Sequence, residues 1–256
     1  MKVVILAGGL GTRLSENTNT IPKPMVEIGG MPILWHIMKI YSYYGFNDFI
    51  ICCGYKGHVI KDYFLNKLKY QSDLTIDYNT EKITIHGNIK YPWKVTLVDT
   101  GLKSMTGGRL KRIQHLINDE TFLLTYGDGV SNVDILKLIE HHKKYNRKVT
   151  VTAIQPSDRF GGLEIENDNL VTSFVEKKRL RSSWINGGYF VCEPSIFEYI
   201  KDDLTILESD VLEKISAEHQ LTSYNHTGFW ECMDTLKEKN TLNDMWDNNK
   251  AGWKLW

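Results

Sequence analysis

The sequence predicts an α/β fold, a parallel sheet flanked by helices, on the strength of three observations. Short strand-like runs alternate with helix-like ones through the first half of the chain, the pattern that parallel strands with helical crossovers produce. The opening run Val3-Val4-Ile5-Leu6-Ala7 is apolar at every position and rich in β-branched residues, as a strand buried on both faces requires. It then breaks into Gly8, Gly9 and Gly11, which suits a strand end whose backbone comes close to a bound group. No repeat, low-complexity segment or linker interrupts the 256 residues, so one continuous domain over 1–256 is expected, more irregular in its C-terminal half.

The elements follow in order. Pro22-Lys23-Pro24 is expected to be extended, because a residue that precedes proline is pushed out of the helical region. Met31 to Tyr44 carries apolar residues at helical spacing, with Pro32 where a first helical turn tolerates it. Asp48 to Cys53 is the next buried strand and His58 to Lys69 the next helix. Leu74 to Tyr78, Lys82 to His86 and Lys94 to Asp99 read as strands. Gly107 to Asn118 reads as a helix entered through a glycine pair, and Phe122 to Thr125 as a strand ending at Tyr126-Gly127-Asp128-Gly129. A helix over Val133 to Tyr145 precedes a strand over Lys148 to Gln155. Beyond it, strands at Leu163 to Ile165 and Tyr189 to Val191 mix with helices around Ser195 to Ile200 and Leu207 to Ala217.

Composition removes several functions. Lys+Arg and Asp+Glu both total 31, which lacks the basic excess of a nucleic-acid footprint. Cys52, Cys53, Cys192 and Cys232 show no zinc spacing and read as buried thiols in a reducing cytoplasm. No apolar stretch approaches the roughly 20 residues that span a bilayer, and the N-terminus enters a strand without a leader. A cytoplasmic location with no membrane partner is the expectation.

Two features carry chemistry. The bare N–H groups around Gly8, Gly9 and Gly11 can form an anion-binding nest, to which Arg13 adds a forked cation suited to phosphate. An ordinary strand-to-helix turn would also use such glycines, and their spacing matches neither the dinucleotide fingerprint nor the Walker loop. Asp128 also stands at a strand end, where open parallel sheets bind ligands, though an Asp-Gly pair forms turns as well. A phosphate nest beside a strand-end carboxylate suits a nucleoside triphosphate with Mg²⁺, which takes few carboxylates and completes its octahedron with phosphates and water. Asp234 is a candidate second ligand, or a cap for the helix after it.

The ordered set LAGGLGTRL, PKPM, TGGR, YGDG, INGG and GFWECMDT resembles the sugar-phosphate nucleotidyltransferases. The fuller strings, such as MTGGRLKRI, GFWECMDTLKEK and the terminal AGWKLW, are similar to the glucose-1-phosphate cytidylyltransferases over the whole chain. The resemblance implies a Rossmann-like single α/β domain, a mostly parallel central sheet flanked by helices, with a small irregular C-terminal subdomain. It also implies a homo-oligomer. Residues 1–130 would mainly bind CTP and 150–235 the phosphorylated acceptor. Residue by residue, it implies that Gly8, Gly9, Gly11, Thr12 and Arg13 hold the CTP triphosphate, with Leu6 and Ala7 also in the nucleotide site. Lys23 would reach the phosphates, and Thr106, Gly107, Gly108 and Arg109 would read the cytosine. Asp128 and Asp234 match the metal-binding aspartates, for Mg²⁺. Glu176, Lys177, Asn186 and Gly187 match the acceptor contacts. Arg13, Lys23 and Lys177 would offset the charge that develops as an acceptor phosphate displaces pyrophosphate. The eight histidines are then without a catalytic role, and His141-His142 read as surface or helix-end residues.

The departures from the family fall on the acceptor side. The family's EKP reads Glu176-Lys177-Lys178, and Arg179-Leu180-Arg181-Ser182-Ser183 replaces small residues. Its WExEPL reads Leu207-Glu208-Ser209-Asp210-Val211-Leu212, which is expected to remove a ring surface on which a sugar packs. Added basic residues suit a more anionic acceptor. These departures point to L-glutamine phosphate, the acceptor of the related CTP:phosphoglutamine cytidylyltransferases of capsule phosphoramidate biosynthesis. The alternative is glucose 1-phosphate, giving CDP-glucose for surface polysaccharide. A catalytically inactive nucleotide-binding regulator is disfavoured, because Arg13, Lys23, Asp128 and Asp234 are all present.

Overall fold

Among the residues described by the computed structural model (1–11, 21–70, 72–86, 91–155, 162–165, 171–175 and 184–256), seven strands form the central sheet. In chain order they are β1 (Val3–Ala7), β2 (Asp48–Cys53), β3 (Lys94–Asp99), β4 (Phe122–Tyr126), β5 (Val149–Ile154), β6 (Ile185–Cys192) and β7 (Leu221–His226). Across the sheet the order is β7-β5-β6-β4-β1-β2-β3. β1 pairs in parallel with β2 on one side and β4 on the other, setting Ile5 level with Ile51 and Thr125. The β2–β3 and β5–β7 pairs are parallel too, whereas β6 runs antiparallel to both its neighbours.

This order creates the crevice that the site needs. The chain leaves β1 for β2 and β3 on one side, then returns to lay β4 on the other. The loops after β1 and β4 therefore part around a topological switch point, where open α/β sheets bind ligands. The Gly127 amide donates to the Leu6 carbonyl at 3.0 Å, which holds the two loops together.

Both faces of the sheet are covered, which is why β1 tolerates no polar residue. Val3, Ile5 and Ala7 face a core filled by Ile33, Ile37 and Tyr41 of α1 (Ile33–Tyr43). Val4 and Leu6 face a second core with Leu110, Phe197 and Leu207. The remaining helices are α2 (Gly57–Tyr70), α3 (Thr106–Arg112), α4 (Ile135–Tyr145), α5 (Glu213–Ala217) and α6 (Leu236–Asp247). No described helix is long and apolar enough to cross a membrane.

Three local expectations need correction. Lys23–Met25 forms a 3₁₀ turn closed by the Met25 amide on the Pro22 carbonyl at 2.8 Å. Only Pro22 is extended, because proline at the first turn of a helix needs no donor and its φ already fits. The helix expected over Gly107 to Asn118 ends at Arg112 and resumes as a 3₁₀ turn, Gln114–Leu116. His142 is buried, and its ring nitrogens lie 2.8 Å from Thr150 Oγ1 and 2.9 Å from Glu193 Oε1, so it ties α4 to the sheet.

The C-terminal tryptophans lock onto α1 through His36. Its ring is wholly buried with edge-on contacts to Trp35, Trp246 and Trp253. His36 Nδ1 accepts from Trp253 Nε1–H at 3.2 Å, which leaves Nε2–H to donate to the Ile28 carbonyl at 2.8 Å. Burial pulls its pKa down to about 4, so the folded protein holds it neutral while the unfolded chain takes up a proton near 6.5. The stability it contributes is present above pH 6.5 and declines as pH falls toward 4, by about 3 kcal/mol in all. The His36 ring resonances in NMR should stay neutral down to about pH 4; titration near 6.5 would contradict this burial.

Candidate active site

Three charged side chains from distant parts of the chain meet at the mouth of the crevice. The Lys23 ammonium lies 2.6 Å from Asp128 Oδ2 and 2.5 Å from Asp234 Oδ1. Each is placed by a separate local device. Lys23 opens the 3₁₀ turn, whose Pro24 and Met25 are buried and fix its base. Asp128 and Asp234 flank a short antiparallel ladder between Gly129–Ser131 and Trp230–Cys232, extended by the Met233 amide donating to the Asp128 carbonyl at 2.9 Å. Thr235, not Asp234, caps α6. Glu238 completes this capping box and also accepts from the Asp234 amide at 2.6 Å, so the aspartate backbone is held while its carboxylate turns to Lys23.

The electrostatics follow from partial burial. Lys23 and Asp234 keep only 11% and 16% of their side-chain surface, and Asp128 keeps 32%. Burial pulls the Lys23 pKa down, but the charges and hydrogen bonds of Asp128 and Asp234 outweigh it and leave it above its ordinary value. The lysine is therefore a permanent cation at neutral pH. Two carboxylates converging on one cationic point also fit the donor set of Mg²⁺, which needs few protein ligands when phosphates supply the rest. Among the described residues no group of three or more His, Cys, Asp or Glu competes as a metal site.

Beside this triad lies a cavity of about 790 Å³, lined by the loop from Leu6 to Gly11, Lys23, the 102–106 segment, Arg109, Tyr126 and Asp128. Its volume is in the range of pockets that take molecules of nucleotide size. Of the loop glycines only Gly11 has a positive φ, 64°. Gly8 is required for space instead, since a Cβ there would stand 2.2 Å from Arg109 Nη1.

Of the stretch expected to read a base, Thr106 and Arg109 line the cavity. Gly107 and Gly108 do not line the cavity but pack against the 203–205 backbone, where a Cβ on Gly108 would meet the Asp203 carbonyl oxygen at 2.2 Å. Arg109 is buried beneath the first loop, and its Nη1 donates to Thr100 Oγ1 at 2.9 Å and the Gly101 carbonyl at 2.7 Å. It braces the floor of the cavity, so its truncation is expected to cost stability as well as affinity. The Thr106 hydroxyl is engaged as well, donating to Glu208 Oε2 at 2.7 Å.

On the acceptor side, Asn186 sits on β6 and its Oδ1 accepts from the Gly188 amide at 2.8 Å, while its Nδ2 donates to the Tyr126 hydroxyl at 3.2 Å. The Gly187 carbonyl accepts from Trp230 Nε1 at 2.7 Å. Thr12, Arg13, Glu176 and Lys177 lie outside the described residues, as do Lys178 to Ser183. Leu207, expected to mark a lost sugar-packing ring, is wholly buried in the second core. Its side chain fills space between α3 and the sheet, so its identity reports core volume rather than acceptor shape. Two residues that sequence reasoning did not single out, Tyr126 and Glu208, are hydrogen-bonded to each other beside the cavity. Their only signal was position, next to Gly127-Asp128 and inside the retained part of the WExEPL counterpart.

The nucleotidyl transferase family pattern matches residues 2–237. The chain is 52% identical to the glucose-1-phosphate cytidylyltransferase of Salmonella typhi over the full length of both proteins. It is 28% identical to the mannose-1-phosphate guanyltransferase of Saccharomyces cerevisiae, over 94% of this chain and 63% of the yeast protein. The crystal structure of HddC from Yersinia pseudotuberculosis, complexed with GMP-PN, superposes with a TM-score of 0.68 at 26% identity, covering 96% of this chain and 99% of that one.

Proposed function

Because the chain belongs to the nucleotidyl transferase family, we propose that it transfers a cytidylyl group from CTP to glucose 1-phosphate, forming CDP-glucose and pyrophosphate. The observation that carries the reaction type is the convergence of Lys23, Asp128 and Asp234 at the switch point beside a nucleotide-sized cavity. The choice of cytosine and of a sugar phosphate rests on the full-length relative at 52% identity. The reading that favoured L-glutamine phosphate loses one of its two supports, since Leu207 is a core residue.

In the proposed reaction an oxygen of the acceptor phosphate attacks the α-phosphorus in line, and the bond to the pyrophosphate oxygen breaks. A phosphate is already a nucleophile at neutral pH, so the chain need not move a proton. The barrier is repulsion between two polyanions, together with the charge that builds on the leaving pyrophosphate. Lys23, cationic and anchored, supplies a fixed positive charge where that repulsion is greatest; Arg13 and Lys177 are proposed to add to it. The amides of the Gly8–Gly11 loop, which lines the cavity, are proposed to donate to phosphate oxygens. Asp128 and Asp234 would hold Mg²⁺, which when bound supplies divalent charge against the phosphates.

The test is kcat/KM for glucose 1-phosphate against L-glutamine phosphate, with CTP in both. A site built for sugar hydroxyls leaves polar groups unpaired against the other acceptor, a mismatch that separates substrates by roughly 10⁴-fold. Efficient turnover of the sugar phosphate alone is expected. Turnover of the glutamine phosphate alone would reverse the assignment.

A further inference from the structure

Glu208 lies on a six-residue π-helical turn, Leu207–Leu212, and no part of the proposed chemistry calls on it. The turn is pinned at its start by Asp210, whose carboxylate accepts from the Ile206 amide at 2.7 Å, and by the Leu207 side chain in the core. Such turns re-aim a side chain, and this one sends the Glu208 carboxylate to two hydroxyls at the cavity wall. Oε1 accepts from the Tyr126 hydroxyl at 2.5 Å and Oε2 from Thr106 Oγ1 at 2.7 Å.

Those hydroxyls belong to different halves of the site. Thr106 opens α3 in the segment lining the cavity, and Tyr126 ends β4 two residues before Asp128. Each already receives a hydrogen bond from an amide. The Leu207 amide donates to Thr106 Oγ1 at 2.9 Å, and Asn186 Nδ2 donates to the Tyr126 hydroxyl oxygen at 3.2 Å. Both hydroxyls are thus left with a proton to give, and the two protons arrive at different oxygens of one side chain. An ionised carboxylate supplies both. A glutamine supplies one and presents N–H to the other.

We propose that Glu208 is a positioning residue for acceptor binding, holding Tyr126 through one carboxylate oxygen and Asn186 through Tyr126. The inference rests on the acceptor-side role given to Asn186 above. Its chemistry is specific: the relay runs from carboxylate to phenol to amide, and loss of the carboxylate or the phenol leaves the asparagine held by its Gly188 bond alone.

Tyr126→Phe and Glu208→Gln, alone and together, test it. Tyr126→Phe deletes a single oxygen and spares the Thr106 contact. It should raise the KM for glucose 1-phosphate about tenfold while changing CTP affinity by less than about threefold. Glu208→Gln should raise the same KM, and the double variant should raise it no more than about twofold beyond Tyr126→Phe, because on the acceptor side both act through the Tyr126–Glu208 bond; the Thr106 contact lies on the nucleotide side. Multiplicative effects, or a loss confined to CTP affinity, would overturn the relay. A second readout stands apart from turnover. The Asn186 side-chain amide resonances of the ligand-free protein should shift in both single variants. Unmoved resonances in Glu208→Gln would refute the relay whatever the acceptor is, whereas failure of the unmutated enzyme to use glucose 1-phosphate would refute only the reaction assignment.

Discussion

Replacing Asp128 by asparagine is expected to lower kcat by about a hundredfold or more. The substitution keeps the shape of the side chain and the ladder behind it, because the Asp128 carbonyl, not the carboxylate, receives the Met233 amide. What disappears is one of two negative charges converging on a single cationic point. The proposed metal recruitment and the anchoring of Lys23 both draw on that charge. Pyrophosphate release should accordingly stop in EDTA with the unmutated enzyme. Full activity in EDTA, or in Asp128→Asn, would contradict the arrangement.

Lys23→Met should have an effect of similar size, on the order of 10²–10³ in kcat, the cost of removing one preorganised electrostatic contact. Methionine retains the length of the stem while losing the ammonium, which stands within 2.6 Å of both carboxylates. The same substitution makes an opposite prediction for the ligand-free protein. Asp128 and Asp234 lose their built-in cation, so Mn²⁺ should bind more tightly to the variant than to the unmutated chain in calorimetry. An unchanged Mn²⁺ affinity would mean that lysine and metal do not share these oxygens.

Much of the fold was legible because burial acts on single residues. β1 lies between two cores, so every position had to be apolar, and the run could be read with its bounds. Asp48 to Cys53 was legible for the same reason, whereas Lys94 to Asp99, at the sheet edge and only partly buried, was legible from its alternating β-branched and apolar residues. The site was legible as residue types but not as partnerships. Lys23 meets carboxylates 105 and 211 positions away, a separation that no local pattern encodes. Arg109 shows the limit most clearly. A glycine pair followed by arginine looks like a ligand loop, yet the glycines admit the 203–205 backbone and the guanidinium grips carbonyls under Gly8. Leu207 misled in the opposite direction: a lost tryptophan suggested a lost sugar contact, and only its complete burial reveals a packing position. Glu208, one residue on, carries the polar contacts, since the π-helical turn points neighbouring side chains to opposite surroundings.

Cytidylyl transfer to glucose 1-phosphate is the central claim, and product analysis tests it most directly. The unmutated protein is given equal CTP, UTP, dTTP and GTP with glucose 1-phosphate and Mg²⁺, and the nucleotide sugars are identified by mass spectrometry. CDP-glucose with a matching amount of pyrophosphate is the expected result. A mixture led by another nucleotide, or pyrophosphate release without CDP-glucose, would contradict it.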